Sequence, residues 1–493
     1  QGVWNLVRKV EGRFHATGAC DTGAGSHKDE KRGTMQADTQ QLIKLFDTNV
    51  LFQVPLFQRP YVWNERNNWE PLWDDIQSLL DKFVRTQKVH PHFIGAIVLE
   101  QVPNTAGSIE SRLVIDGQQR FTTLQVFMIA ARNLAGLDDP TDKPPATVGL
   151  DVRFSAIWNV VQKGLQLVVI NLAQDDETQV IFETLNAKGT ALLPADLIKN
   201  FLFRQAGAQE ELTAAQLEKL YTKHWARFET DFWREEIKQG RLIRPRIDIF
   251  INHYLSMMTC DEVRSSHLFN AFKAFVENEE SGTSIPMPVG ADQHIAQLAS
   301  FADVFHTFYE PGKHEALALF LRRLEAVDTA TVYPFLLYAH YKLMPEHQDE
   351  FDKILAVLES FLMRRLITND TPKNYNKFFV DLIRVIDKGG DLTAQALKEH
   401  LAKGTGESNR FPTNDAILSA IVEMPLYGRL PQRKVRAVLE ALDAFNASSK
   451  SEALAMPTKL TIEHVLPQSW EQHWPLPADA AKDPVEKEKA TAR

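Results

Sequence analysis

The chain has 493 residues, of which 44% are hydrophobic and 24% are charged, an ordinary composition for a soluble globular protein. Its length favours about three domains, because one hydrophobic core rarely serves so many residues. The net charge of -9 excludes a protein coated in positive charge, although a local basic face can still bind nucleic acid. Two cysteines exclude a disulfide framework, and no stretch is apolar enough to cross a bilayer, so we expect a cytoplasmic protein without membrane contact.

Residues 1–34 are small, polar and rich in glycine, without helical or strand periodicity. We predict a flexible extension, from an upstream start or from cloning, with Met35 as the candidate native start. Strand and helix patterns then alternate: RLVID and LQLVVINL are typical of buried strands, whereas NNWEPLWDDIQSLLDKF and TTLQVFMIAARNLAG have helical spacing. Residues 35–205 are therefore predicted to form a small α/β domain.

Long helical patterns such as EFDKILAVLESFLMRRLI follow, and strand patterns nearly vanish. We predict a large all-helical domain over residues 206–450 and a third, β-prone domain over residues 451–493. The predicted fold class is thus α/β plus α, followed by a C-terminal domain that contains β-structure. Basic stretches at 241–246, 363–377 and 429–436 are candidate faces for DNA; solvated helix surfaces are the alternative.

The stretch LVIDGQQRFTTLQVF places a dense polar corner between a strand and a helix. The corner comprises Asp116, Gly117, Gln118, Gln119, Arg120, Thr122 and Thr123. Gly117 permits a tight bend, and the helix that follows offers N–H groups and partial positive charge to an anion. Arg120 can bind phosphate in a bidentate manner, while Asp116 can orient Arg120 or polarise a water. We predict that the corner exposes its two glutamines and grips a nucleotide or phosphate. The alternative is an ordinary exposed turn with Asp116 as the helix cap.

Two further polar segments belong to the same predicted domain. FQRPYVW carries Gln58, Arg59, Pro60, Tyr61 and Trp63. Its aromatic and apolar side chains form a niche beside one guanidinium, with a proline that fixes the backbone. ETLNAKGTALLPADLIKN carries Asn186, Lys188, Asp196 and Lys199 around a glycine. Neither GxxxxGK[ST] nor GxGxxG occurs, which disfavours an ordinary P-loop or Rossmann site.

These three motifs, in this order, resemble the DUF262 family, which has a ParB/sulfiredoxin-like fold. The resemblance implies nucleotide binding and hydrolysis at the DGQQR corner without a P-loop. With the polar residues above, it assigns catalysis to Asp116, Gln118, Gln119 and Arg120. Nucleotide binding is assigned to Gly117, Thr122, Thr123, Asn186, Lys188, Asp196 and Lys199. Sensing of a DNA modification is assigned to Gln58, Arg59, Pro60, Tyr61 and Trp63.

The segment LTIEHVLPQSW places Glu463 beside His464. Adjacent strand residues face opposite sides, but a bent strand end next to a proline can direct both to one site. Histidine is a natural general base, and a carboxylate can bind a hard ion such as Mg²⁺. The segment is similar to the first half of HNH (ββα-metal) nucleases in the DUF1524 form, which implies that Glu463 binds the metal and His464 activates water. Because no Asn or His follows His473, we expect the nuclease site to be incomplete in this sequence.

Proteins that join these two families resemble modification-dependent restriction and anti-phage effectors. The expected partners are double-stranded DNA, both modified self DNA and phage DNA, together with GTP or another NTP, and a homo-oligomer is compatible. We favour sensing of phosphorothioate DNA, as in SspE-type effectors, because a sulfur-bearing phosphate is weakly hydrated and suits the niche beside Arg59. The alternatives are GmrSD-like restriction of glucosylated hydroxymethylcytosine DNA, a ParB-like nucleotide-gated DNA clamp, and a regulatory NTPase with a vestigial terminal segment.

Overall fold

The computed structural model divides into two compact units, residues 1–191 and residues 192–493. The structure describes residues 36–55, 61–102, 109–134, 150–172, 193–208, 212–239, 242–390, 392–424, 426 and 428–446, and the single residues 462, 473 and 485. A sheet with helices forms the first unit, and helices dominate the second, which confirms the predicted α/β plus α class. The predicted extension at 1–34 and the predicted HNH fold lie outside the described residues.

The first unit is built around a mixed sheet. Its elements are β1 (Gln36–Gln41), α1 (Leu42–Phe46), β2 (Val50–Gln53), α2 (Glu70–Thr86), β3 (His92–Gln101), β4 (Glu110–Asp116), α3 (Gln118–Leu134), α4 (Leu150–Asn159) and β5 (Leu165–Leu172). Short π-helical turns precede α2 and β5, at Glu65–Trp69 and Val160–Gly164. The strand order is β1-β5-β3-β4-β2. The central strand β3 runs parallel to β5 and antiparallel to β4, while the edge strands pair antiparallel (β1 with β5) and parallel (β2 with β4).

Side chains on β5 alternate between two cores, as the period of two along a strand requires. Leu165, Leu167 and Val169 face a large core, whereas Ile170 and Leu172 face a smaller one. The helices add to the large core Leu42, Leu45, Ile76, Leu79, Phe121 and Leu124. The apolar face of α3 thereby anchors the helix that begins at the DGQQR corner.

Two glycines shape the sheet next to that corner. The pairing of β3 shifts between Phe93 and Ala96, where Gly95 has φ +112°. Gly117, at the end of β4, has φ +91°, and a Cβ on it would come within 2.6 Å of Ile97 Cγ2. Both positions therefore favour glycine, for backbone conformation and for close approach. As a result, the corner lies directly against the irregular part of β3.

Helices make up nearly all of the described part of the second unit. They are α5 (Pro194–Ala208), α6 (Ala214–Leu220), α7 (Asp231–Arg234), α8 (Arg246–Thr259), α9 (Leu268–Asn278), α10 (Ala291–Thr307), α11 (Glu315–Val327), α12 (Tyr333–Leu343), α13 (Gln348–Ile367), α14 (Tyr375–Gly389), α15 (Ala394–Ala402), α16 (Asn414–Glu423) and α17 (Gln432–Asn446). Its core surrounds α8, in which Ile247, Phe250 and Tyr254 are fully buried. None of the helices described in either unit is long and apolar enough for a membrane span.

One element of the second unit departs from the all-helical expectation. Strands β6 (Glu236–Gln239) and β7 (Leu242–Pro245) pair antiparallel as a short hairpin before α8. Each strand has only four residues, too few for an alternating pattern to stand out in the sequence. The hairpin is held by a backbone bond from Arg246 N to Glu235 O, at 2.9 Å.

Candidate functional site

The DGQQR corner joins β4 to the N-terminus of α3. Asp116 ends the strand, Gly117 turns the chain, and Phe121 N donates to Gly117 O at 2.9 Å to close the first helical turn. The first turn of α3 carries no acidic residue. The partial positive charge of this helix end is therefore not offset by an acid in its own first turn, a setting that favours a bound anion.

Arg120 lies over the irregular part of β3. Its Nη1 donates to Ala96 O at 2.9 Å, and a Cβ on Gly95 would come within 2.7 Å of its Nε. The glycine thus leaves the space in which the guanidinium lies. A guanidinium has five N–H donors, so one bond to a carbonyl orients it without exhausting its capacity to bind phosphate.

The two glutamines of the corner are buried, with 7% of Gln118 and 5% of Gln119 exposed, so the predicted exposure of these side chains is wrong. Gln119 Oε1 accepts a hydrogen bond from Val62 N at 2.8 Å. A buried amide is tolerated when its polar atoms are bonded, and here the bond is to the main chain of a distant segment. Gln119 therefore fastens the end of the FQRPYVW segment to the corner.

A second connection joins the same two segments through side chains. Trp69 Nε1 donates to Tyr61 Oη at 2.8 Å, Tyr61 Oη lies 2.6 Å from Thr123 Oγ1, and Thr123 Oγ1 donates to Gln119 O at 2.8 Å. The indole can only donate and the carbonyl can only accept, and threonine has a single hydroxyl proton. Tyr61 therefore donates to Thr123, and the chain of bonds has one direction. We call Trp69, Tyr61, Thr123 and Gln119 the hydrogen-bonded chain.

Trp69 was missed by the sequence analysis, which assigned it only to a helix. It lies in NNWEP, directly before α2, and no local pattern indicates that its indole N–H bonds Tyr61. Trp63 and Thr122 are partly buried, and their assigned roles stay predictions. Outside the described residues lie Gln58, Arg59, Pro60, Asn186, Lys188, Glu463 and His464.

Asp196 and Lys199 lie in the second unit, in a buried charge cluster with Glu229 and Arg234. Lys199 is fully buried, and its Nζ lies 2.7 Å from Glu229 Oε1 and 3.8 Å from Asp196 Oδ1. Arg234 Nη2 bonds both acids, at 2.9 Å to Asp196 Oδ1 and 2.5 Å to Glu229 Oε2. Two cations balance two anions, as burial of charge requires. The cluster fastens α5 to the segment around α7, while nucleotide binding by either residue stays a prediction.

Next to this cluster, Asp248 caps α5. Its Oδ1 accepts from Ala195 N at 3.0 Å, at the start of the helix. Burial raises the pKa of Asp248 to about 6, although the hydrogen bond from Ala195 N lowers it. Among the neighbouring charges, Asp196 raises this pKa, whereas Arg234 and Arg244 lower it. The carboxyl is thus a structural cap whose charge is only partly compensated.

Two arginines of the predicted basic faces are internal. Arg246 Nη2 lies 2.7 Å from Glu235 Oε2, and its guanidinium lies 4.0 Å from the centre of the Phe232 ring. Arg365 is 1% exposed and donates to Tyr375 Oη and to the carbonyls of Thr371, Glu407 and Arg410. Since both side chains are committed inside the unit, they are not part of a DNA-binding face.

Among the described residues, no group of three or more His, Cys, Asp or Glu side chains is arranged to hold a metal ion. The predicted metal ligand Glu463 is not among those residues. The Mg²⁺ site therefore stays a prediction.

Two family models, both of restriction endonuclease domains, match separate parts of the chain. Residues 40–203 match the N-terminal domain of the GmrSD restriction endonuclease, and residues 411–492 match the C-terminal domain of GmrSD restriction endonucleases. The chain is similar to both GmrSD domains in that order, which confirms the predicted resemblance. The C-terminal match begins well before residue 451, where the sequence analysis placed the third domain. No curated protein gave a significant match. The two domains support a role in modification-dependent DNA restriction, with DNA as the substrate.

Proposed function

We propose that the protein is a defence effector that senses a DNA modification, hydrolyses an NTP at the DGQQR corner and cuts DNA through its C-terminal domain. GTP is the favoured NTP and phosphorothioate the favoured modification. The observation that carries the proposal is the pair of connections from Tyr61 and Val62 to Gln119 and Thr123. They join the segment assigned to sensing with the corner assigned to the nucleotide.

At the corner, the phosphates of the NTP lie at the N-terminus of α3, where the helix dipole and backbone N–H groups favour negative charge. Arg120, oriented by its bond to Ala96 O, stabilises the charge on the transferred phosphoryl group. Asp116, at the end of β4, orients the attacking water and accepts its proton. Gln119 supports this arrangement through its bonds to Val62 and Thr123.

Modified DNA acts through the FQRPYVW segment. A contact at Gln58 or Arg59 is only a few residues from Val62, which bonds Gln119 directly, and from Tyr61, which is connected to Gln119 through Thr123. DNA that reorders this segment changes the position of Gln119 and hence the geometry of the first turn of α3. The short route explains how recognition of a modification can set the rate of NTP hydrolysis without a long relay.

Cleavage belongs to the C-terminal domain, and the match over residues 411–492 supports it. In this proposal Glu463 holds a hard divalent ion, which would neutralise charge at the scissile phosphate. His464 takes the proton from the attacking water.

The test measures GTP hydrolysis and plasmid nicking with phosphorothioated, glucosylated hydroxymethylcytosine and plain duplexes, by a full-length protein whose C-terminal domain supplies the Asn or His that the predicted nuclease site needs. We expect the phosphorothioated duplex to stimulate hydrolysis most. Stimulation only by the glucosylated duplex would replace phosphorothioate with the GmrSD-like substrate, and equal rates with all duplexes would remove modification sensing.

A matched variant separates the two activities. His464→Ala should abolish nicking and leave GTP hydrolysis at its normal rate. If His464→Ala changes neither activity, the nucleotide-gated clamp is the better description.

A further inference from the structure

A partly exposed aromatic patch lies beside the hydrogen-bonded chain, where Trp73 of α2 contacts Phe127 of α3. We define the patch by Tyr61, Trp69, Trp73 and Phe127. Trp69 is 44% exposed and Trp73 42%, although such large aromatic rings are usually well buried. The rings pair as Tyr61 with Trp69, centroids 6.4 Å apart and 28° from parallel, and Trp73 with Phe127, 6.2 Å apart. An exposed cluster of this kind indicates a binding surface.

Trp69 is held in one orientation. Its Nε1 is already bonded to Tyr61, at 2.8 Å, and Tyr61 is in turn bonded to Thr123. With its polar atom engaged, the indole offers its ring surface to a ligand. A flat, preoriented aromatic surface binds another planar ring by stacking at a small cost in conformational entropy.

The charges around Trp69 disfavour a strand of nucleic acid as its planar ligand. Among the described residues there, Glu65, Glu70 and Asp74 outnumber Arg66, and all four side chains are exposed. A DNA or RNA strand would bring a phosphate with each base into this acidic setting. A single uncharged base whose phosphates lie elsewhere does not meet that repulsion.

The distance to the corner fits one nucleotide. Thr123 lies six positions after Gly117, which corresponds to about 9 Å along the helix. The sugar and phosphates of one NTP can span such a length, with the phosphates at the start of α3 and the base near Trp69. The patch and the corner can therefore bind two ends of the same molecule.

We propose that Trp69 stacks on the nucleobase of the NTP whose phosphates bind at the DGQQR corner. The proposal rests on the proposed function and adds the base-binding residue to it. It predicts that the protein binds a nucleoside triphosphate more tightly than the bare phosphate chain.

The test is calorimetric titration of the whole chain with GTP and with inorganic tripolyphosphate. Trp69→Ala should weaken GTP binding about 5- to 150-fold, as loss of one stacking contact predicts, and leave tripolyphosphate binding unchanged. Trp69→Phe, which keeps a stacking ring but loses the indole N–H, should retain most of the GTP affinity. Phe93→Ala is the matched control, since Phe93 is an aromatic residue of the same unit with 57% exposure, and it should change neither affinity.

The outcomes separate the inference from the proposed function. Unchanged GTP binding by Trp69→Ala, or an equal loss for both ligands, would overturn the stacking role. So would wild-type protein that binds tripolyphosphate as tightly as GTP, and in that case the phosphate site at the corner would stand. If wild-type protein binds neither ligand, the proposed function fails together with the inference. A Trp69→Ala effect confined to self-association, seen by analytical ultracentrifugation, would make the patch a protein interface and overturn the proposal.

Discussion

The DGQQR corner of the first unit and the buried charge cluster of the second unit contain the same kinds of residue. Both lie at the start of a helix, and the sequence analysis assigned both to nucleotide binding. Arg120 is partly exposed and oriented by a backbone carbonyl, whereas Lys199 is fully buried between two acids. A cation that is already paired inside the protein supports the fold, while one that is oriented and accessible can serve a ligand. Burial and pairing, rather than residue type, separate the two uses.

The largest expected effect is a loss of stability when the buried charge cluster loses Lys199. Lys199→Met leaves Asp196 and Glu229 buried with only Arg234 to balance them, so we expect a loss of ~3–5 kcal/mol in the free energy of unfolding. Urea unfolding followed by circular dichroism measures it. As a control, Lys353→Met breaks an exposed ion pair with Glu350 and should cost at most ~1 kcal/mol. Similar losses in both variants would mean that the buried cluster is not structural.

The next largest effect is a pH dependence of the cap on α5. Because the pKa of Asp248 is raised to about 6, the folded protein holds a proton there over a pH range in which the unfolded chain has lost it. The stability contributed by Asp248 therefore falls as the pH rises from the usual carboxyl value to about 6. Asp248→Asn keeps an acceptor for Ala195 N and removes this titration. Its free energy of unfolding, measured by urea unfolding at several pH values, should therefore vary less over that range, by about 3 kcal/mol.

Glu350 provides a control of opposite sign. Its Oε1 accepts from Ala394 N at 2.7 Å next to α15, and this hydrogen bond lowers its pKa. Its contribution is present above the usual glutamate value and is lost as the pH falls. Glu350→Gln should thus flatten the acid side of the stability curve; the same pH response in both variants would contradict the assignment of the two caps.

A third prediction tests whether Gly95 makes the space for Arg120. Gly95→Ala places a Cβ within 2.7 Å of Arg120 Nε at φ +112°, so we expect a loss of ~1–3 kcal/mol in stability and a clear loss of GTP affinity. Gly390→Ala imposes a similar backbone strain, at φ +93°, with no atom within 4 Å of the new Cβ. It should destabilise the protein and leave GTP binding unchanged. Normal GTP affinity in Gly95→Ala would show that the position of Arg120 is unimportant.

The smallest effect concerns the hydrogen-bonded chain. Tyr61→Phe removes the hydroxyl between Trp69 and Thr123, so we expect a loss of ~1 kcal/mol in stability and weaker stimulation of GTP hydrolysis by modified duplex. Tyr341→Phe, at an exposed tyrosine of the second unit, is the control for loss of a hydroxyl. Full stimulation in Tyr61→Phe would separate the FQRPYVW segment from the corner.

The sequence predicted the elements that carry the corner better than it predicted the side chains. Strand β4, the turn at Gly117 and helix α3 follow from local patterns, because an apolar run, a glycine and apolar residues at helical spacing each limit the backbone directly. The hairpin β6–β7 was missed because its strands are short. The burial of Gln119 was also missed, since its partner Val62 lies 57 residues away and no local pattern indicates the pairing.

The amino-acid sequence by itself therefore determined the order of the motifs, the change from an α/β to a helical unit, and the resemblance to the two GmrSD domains. Only the tertiary structure decided which polar side chains are buried in the protein interior. It paired Lys199 with Glu229, oriented Arg120 on Ala96 and tied Tyr61 to Thr123. The reason is physical: secondary structure depends on neighbouring residues, whereas burial and the partners of a charge depend on segments that folding brings together from far along the chain.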